Sequence, residues 1–126
     1  MDELVEFLPR AQWRGRGQHT SICDDDRNLE PILVKCVSEI PLSLEGFGLQ
    51  VWKTTGITRI LEKAAYIIPV SIIEGTPQIL DGPPLVPGTA PFYFEDQAII
   101  SGSLYYILAK PPSTKVLNNP KSNTEA

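Results

Sequence analysis

The chain has 126 residues, a formal net charge of −4 and 42% hydrophobic residues. This length suits one domain, and the composition is that of a folded protein, which excludes a wholly disordered chain. Proline occurs 12 times in 126 residues, about twice its usual frequency. Because proline breaks helix interiors, this composition disfavours a helical bundle. The acidic balance argues against nucleic-acid binding over the whole surface.

The first 31 residues predict an N-terminal arm. Residues 2–8 have the polarity of one short amphipathic helical turn, which Pro9 ends. A helix this short is not stable alone, so its apolar side chains must dock on this chain or on a second copy. Residues 9–31 are expected to be irregular, because glycines interrupt them and the aspartates at 24–26 oppose burial.

A single globular domain is expected over residues 32–110. Its first element is predicted to be a half-buried strand, since apolar residues alternate with a period of two. These residues are Ile32, Val34, Cys36 and Ile40. A second apolar stretch, residues 42–52, contains Gly46 and Gly48, which suggest a turn or a bulge.

One short amphipathic helix is predicted over about residues 56–66. The apolar positions fit the i, i+3, i+4, i+7, i+8, i+11 pattern of a helix completely. They are Ile57, Ile60, Leu61, Ala64, Ala65 and Ile68. Thr54 or Thr55 is a candidate N-cap, and Pro69 would stop the helix.

The C-terminal half predicts strands joined by a stiff connection. Residues 70–73, 92–94 and 103–109 have the β-branched and aromatic composition of strands. Residues 75–91 are rich in proline and glycine, which favours an extended connection. Residues 111–126 have the composition of a flexible tail. The fold class is therefore α+β or mostly β. We expect a small β-sandwich, or alternatively a partly open sheet covered by the helix.

The residues that carry chemistry do not form a catalytic pattern. His19 is the only histidine, and it lies in a glycine-rich segment four residues from Cys23. A general base needs rigid surroundings, and adjacent aspartates lack the alternate spacing of calcium loops. We expect no enzyme activity, no metal site and no cofactor. Two cysteines without a CxxC pair fit a reducing compartment, with Cys36 buried. The location expected is the cytoplasm or a virion rather than secretion, since no signal peptide is recognisable.

A basic cluster within the arm supports an alternative function. Arg10, Arg14 and Arg16 surround Trp13, with glycines between them. Arginines interleaved with an aromatic residue and glycines can bind single-stranded nucleic acid through phosphate contacts and base stacking. The same composition suits an arm that grips an acidic subunit surface, and the nearby aspartates could neutralise it.

A second alternative is an adaptor recognised through the proline-rich segment 83–91. Its Pro84 and Pro87 form a PxxP pattern, which domains with aromatic grooves bind. The segment ends in Thr89, Ala90 and Pro91, which is similar to the P[ST]AP motif that recruits budding machinery. Gly88 replaces the leading proline of that motif. The competing interpretation is a rigid loop that crosses the fold.

The favoured function is a non-enzymatic, self-associating structural protein. Consecutive aromatic residues near the C-terminus give both faces of their strands an apolar character, which is typical of protein interfaces. The candidate interface residues are Leu4, Phe7 and Trp13 as arm anchors, and Tyr105 and Tyr106 on the strand. In general character the chain resembles small capsid, matrix or tail-assembly proteins of viruses, although no specific motif carries that resemblance. A homo-oligomer or a larger protein assembly is the expected partner, with no transmembrane segment.

Overall fold

The computed structural model describes residues 1–112. Two short α-helices and a 3₁₀ turn accompany seven strands. In chain order the elements are α1 (Asp2–Phe7), the 3₁₀ turn (Leu8–Arg10), β1 (Trp13–Gly15), β2 (Thr20–Cys23), α2 (Asp26–Val37), β3 (Gly48–Thr54), β4 (Ile57–Ile60), β5 (Ala65–Ile79), β6 (Phe92–Phe94) and β7 (Ala98–Lys110). The mostly β class expected from the sequence is confirmed.

The seven strands form one antiparallel sheet with β7 near its centre. The order across the sheet is β1-β2-β3-β7-β5-β6, and β4 pairs with β7 outside this path. One edge of β7 pairs with β3 along residues 104–110 and with β4 along residues 98–101. The opposite edge pairs with the long strand β5. The structure therefore contains one continuous sheet within the described residues, rather than two stacked sheets.

The strand expected over residues 32–40 is wrong, because this segment belongs to α2. Leu29, Leu33 and Cys36 are buried at the i, i+4, i+7 spacing of a helix, whereas Val34 is 66% exposed. The alternation of apolar residues was therefore a coincidence of composition. Asp25 starts the helix, since its carbonyl accepts from the Leu29 N–H at 2.8 Å and its carboxylate from the Asn28 amide at 2.8 Å.

The helix expected over residues 56–66 is also wrong. Residues 57–60 form β4, and β5 begins at Ala65. Ile57 and Leu61 would both lie on the buried face of that helix, yet they are 66% and 76% exposed. β-branched residues dominate β4 and favour extended backbone. Gly56 has a φ of +77°, which also stops a helix from starting there.

The structure places residues 1–31 differently from the predicted arm. The helix expected at residues 2–8 is present as α1, and it docks on this chain's own core. β1 and β2 then form a hairpin that extends the sheet through pairing of β2 with β3. Most of this segment is therefore an integral part of the same domain. The predicted tail lies outside the described residues from position 113 onward.

Two cores lie on opposite faces of the sheet. The first core packs α1 and α2 against the sheet residues Cys23, Val51, Ile68, Val70, Ile107 and Ala109. The second core lies on the opposite face and contains Ile60, Ala65, Ile67, Ile79, Leu85, Phe94, Ala98, Ile100, Leu104, Tyr106 and Leu108. Alternate side chains of β7 enter alternate cores, as the period of two in a strand requires. The predicted strands at 70–73, 92–94 and 103–109 are confirmed.

The sheet is irregular where β5 passes Gly102. The pairing of β5 with β7 shifts register three times, and both prolines of β5, Pro69 and Pro77, lie at these irregularities. A proline inside a sheet fits only at a bulge or an edge, because it has no N–H to donate. Gly102 has a φ of +124°, and a Cβ added to it would lie 2.6 Å from the Pro77 Cα. Only glycine therefore fits at position 102, where the backbone of β7 passes close to Pro77 of β5.

We expect Gly102→Ala to lower the free energy of unfolding by about 2–4 kcal/mol, since it adds both a backbone clash and a strained φ. Urea unfolding followed by circular dichroism measures the change. Gly15→Ala is the matched control, because a Cβ at Gly15 meets no atom within 4 Å. Equal stability of the two variants would contradict this role of Gly102.

Candidate functional site

The residues predicted as an interface are used inside the fold. Leu4 and Phe7 are buried in the first core, and Tyr106 is buried in the second. Trp13 is partly buried, packs on Tyr105 with ring centroids 5.5 Å apart, and donates its indole N–H to a main-chain carbonyl at 3.1 Å. These five side chains do not form a free surface of the domain.

The arginine cluster is dispersed by the fold. Arg10 lies over the Phe7 ring, 6.0 Å from its centroid. Arg14 approaches Asp24 at 3.6 Å, as expected from the nearby aspartates. Arg16 lies in the turn between β1 and β2, and no described carboxylate forms an ion pair with it. Arg10 and Arg16 therefore both carry a charge that has no ion pair among residues 1–112.

The first residues of the proline-rich segment 83–91 form backbone hydrogen bonds with β5. The Pro83 carbonyl accepts from Ile79 at 2.9 Å, and Leu85 donates its N–H to Pro77 at 2.9 Å. Pro84 forms a bridge with β5, and Leu85 is buried in the second core. The second half is held less tightly, since Thr89 bonds only to the nearby Val86 carbonyl. The remaining residues of the predicted partner motif lie in this second half, after the part that is hydrogen-bonded to the sheet. They are Pro87, Thr89, Ala90 and Pro91.

His19, Cys23 and the aspartates do not converge. Cys23 is buried on the helix side of the sheet, and burial raises the pKa of its thiol. His19 is exposed, and its carbonyl accepts from Thr55 at 2.8 Å. Within residues 1–112, no three His, Cys, Asp or Glu side chains are grouped to hold a metal ion. No helix in this range is long and apolar enough to cross a membrane.

One part of the sheet faces solvent where the helices do not reach. We call it the outer face, and it consists of Ile57, Arg59, Leu80, Asp81 and Ile99. The strand register places Arg59 of β4 opposite Ile99 of β7, and the Leu80 N–H donates to the Ile99 carbonyl at 2.8 Å. These residues therefore form a row across the sheet. Ile57 is 66% exposed and Leu80 is 47% exposed.

The outer face carries opposite charges at its two ends. Arg59 lies at the β4 end of the row, and Asp81 follows Leu80 at the β5 end. Both side chains are exposed, and neither forms an ion pair within residues 1–112. An apolar centre between two unpaired opposite charges is a self-complementary pattern.

A groove lies on the other side of β4, between that strand and the β1–β2 turn. Its volume is about 330 Å³, within the usual range of ligand pockets. Its lining residues are Arg16, Thr20, Trp52, Thr58, Arg59, Ile60, Leu61, Glu62, Tyr106 and Leu108. The lining therefore combines an apolar floor with polar walls.

Two hydroxyl groups in this groove lack a partner among the described residues. The Thr20 Oγ1 atom is buried without a hydrogen bond. Tyr106 is 2% exposed, no described side chain or backbone group bonds its hydroxyl, and burial raises its pKa above the ordinary value of 10.0. By contrast, Thr54 and Thr58 share a hydrogen bond, and Glu62 lies 3.7 Å from Lys110.

We expect Tyr106→Phe to change the free energy of unfolding little at pH 7, because the hydroxyl has no hydrogen bond to lose. Above pH 10 the unfolded state releases the tyrosine proton while the folded state retains it. Stability therefore falls by about 1.4 kcal/mol per pH unit for this group, until the folded-state pKa is reached. Urea unfolding from pH 7 to pH 11 should show a shallower alkaline decline in the variant.

Tyr105→Phe is the control, because Tyr105 is less buried and burial raises its pKa as well. It should remove a smaller part of the alkaline decline. An unchanged pH dependence in Tyr106→Phe would contradict the desolvation of this hydroxyl.

Neither the outer face nor the groove was expected from the sequence. The spacing of Ile57, Ile60 and Leu61 predicts a helix, although these residues belong to the strand β4 and the connection after it. The segment Ile57-Thr58-Arg59-Ile60 is β-branched at three of four positions and alternates in burial. The i, i+3 spacing of Ile57 and Ile60 fits a helix, so the β-branched composition is the only signal in these four residues that favours the strand.

Comparisons with known proteins found nothing similar: no family model, no curated protein and no solved structure matches the chain.

Proposed function

We propose that this chain is a structural protein that self-associates through its outer face. The observation that carries the proposal is the row from the exposed Arg59 through the half-buried Ile99 to the exposed Leu80 and Asp81. Exposed aliphatic side chains on a rigid sheet provide the apolar centre of an interface, and the flanking charges provide orientation.

The proposed occupant of the outer face is a second copy of the same chain. A two-fold axis that passes through the middle of the row exchanges its two sides. It would place Arg59 of each copy against Asp81 of the other, with Ile99 near the axis. Closed two-fold dimers are the commonest oligomers, and their interfaces use the same patch on both copies. The charge pattern therefore supports an isologous dimer.

The proposal differs from the expected use of the arm and of Tyr105 and Tyr106. Leu4, Phe7 and Tyr106 are buried and Trp13 and Tyr105 are partly buried, so we place the assembly contact on the more exposed outer face. Both cysteines are free and buried, which suits the reducing cytoplasm or a virion assembled in it.

We expect Ile57→Glu to weaken self-association at least tenfold, because it places an unpaired charge at the edge of an apolar contact. Sedimentation velocity over a range of concentrations measures the dissociation constant. The variant should remain folded, since the side chain already faces solvent in the monomer.

Val34→Glu is the matched control. Val34 lies on α2, which contributes no residue to the outer face, and its exposed fraction of 66% equals that of Ile57. The control should associate like the unmodified protein. Equal dissociation constants for the two variants, or a protein that is monomeric at every concentration, would reject the proposal.

A further inference from the structure

The groove and the free edge of β4 together form a second binding site, and we propose that it takes an extended peptide segment carrying an acidic residue. Such a segment would add to the sheet as a strand beside β4. This site shares β4 with the outer face, through Arg59 and the backbone of Ile57. Its other lining residues, among them Arg16, Thr20 and Tyr106, do not belong to the outer face, so the two proposals are tested with different variants.

The backbone of β4 is unpaired along one edge. The Gly56 carbonyl accepts from the Gly102 N–H at 2.8 Å. Backbone groups of alternate residues point to the same edge of a strand, so Thr58 and Ile60 bond to β7 while Ile57 and Arg59 present theirs to the free edge. No other described backbone group bonds to those of Ile57 and Arg59. A free edge of this kind is the site of strand addition by peptides.

The groove follows the chain beyond this edge. Five consecutive residues, 58–62, form one wall, and Arg16 and Thr20 contribute to the other. The floor is apolar and comes from Trp52, Tyr106 and Leu108. An extended peptide places alternate side chains on one face, so some of its side chains would contact this floor.

The polar groups of the groove can bind a carboxylate, because they supply hydrogen-bond donors and a positive charge. Arg16 has no acidic partner among residues 1–112, and the Thr20 hydroxyl is buried there without a hydrogen bond. The Tyr106 hydroxyl makes no hydrogen bond to a described residue. All three can donate hydrogen bonds, and bonds to a charged acceptor are stronger than neutral ones. Glu62 also lines the groove, but Lys110 lies 3.7 Å from its carboxylate and offsets its charge. The charge left uncompensated is therefore positive.

The test uses two labelled pentapeptides, Val-Glu-Val-Glu-Val and Val-Lys-Val-Lys-Val, with both termini blocked. Fluorescence anisotropy should show that the acidic peptide binds the full chain at least tenfold more tightly. N-methylation of its central residue should weaken binding at least tenfold, because it removes a backbone donor from the added strand. Arg16→Glu should weaken it to a similar extent.

Arg27→Glu is the control, since Arg27 is exposed on α2 and makes the same change of charge away from the groove. It should bind the acidic peptide like the unmodified protein. Equal affinity for the two peptides, no effect of N-methylation, or equal losses in the two variants would overturn the proposal. Tighter binding of a five-residue oligothymidylate than of the acidic peptide would also overturn it, in favour of nucleic acid.

Discussion

The pairing of β7 on both of its edges is the interaction on which the rest of the structure depends. This one strand holds β3 and β4 on one side and β5 on the other. Side chains of β7 alternate between the helix-covered core and the second core, so both cores depend on the pairing of this strand. The same strand also supplies Ile99 to the outer face and Tyr106 to the groove.

The outer face follows from a mismatch between the helices and the sheet, and the peptide site follows from the free edge of β4. α1 and α2 cover the sheet only around Val51, Ile68 and Ile107. The half of β7 from Ala98 to Gly102 extends beyond them, with β4 on one side and the end of β5 on the other. Side chains there that do not enter the second core remain exposed. A short β4 with one unpaired edge then leaves backbone groups available.

Sequence patterns predicted most strands of the C-terminal half correctly. They gave the wrong element where the signals of a helix and of a strand are both present. Residues 92–94 and 103–109 are aromatic and β-branched, and the structure has strands at both places. In residues 26–37, apolar residues occur at spacings that fit both a helix and a strand. In residues 57–60, the i, i+3 spacing fits a helix whereas the β-branched composition favours a strand. Tertiary pairing with β7 and packing against α1 decide between them, and neither is visible in a local window.

The candidate sites were less predictable for the same reason. Arg59 and Ile99 lie on β4 and β7, and Leu80 follows the end of β5, so only the pairing of the strands brings the three together. Tyr105 and Tyr106 were recognisable as important residues, but their aromatic character predicts burial and interface contact equally. The fold uses Tyr106 in the core and Tyr105 against Trp13. The residues that stay exposed and available to a partner are therefore determined by how all the strands pair and by which side chains the cores bury.

The most direct test of this account is a double-mutant cycle on the two charges of the outer face. Arg59→Gln and Asp81→Asn would be measured singly and together by sedimentation equilibrium, with Arg27→Gln as the control. Asn suits position 81, where φ is +59°. If Arg59 of one copy faces Asp81 of the other, each single change weakens the dimer several-fold and the double change weakens it little further. Independent, multiplicative losses, or no loss, would contradict the account.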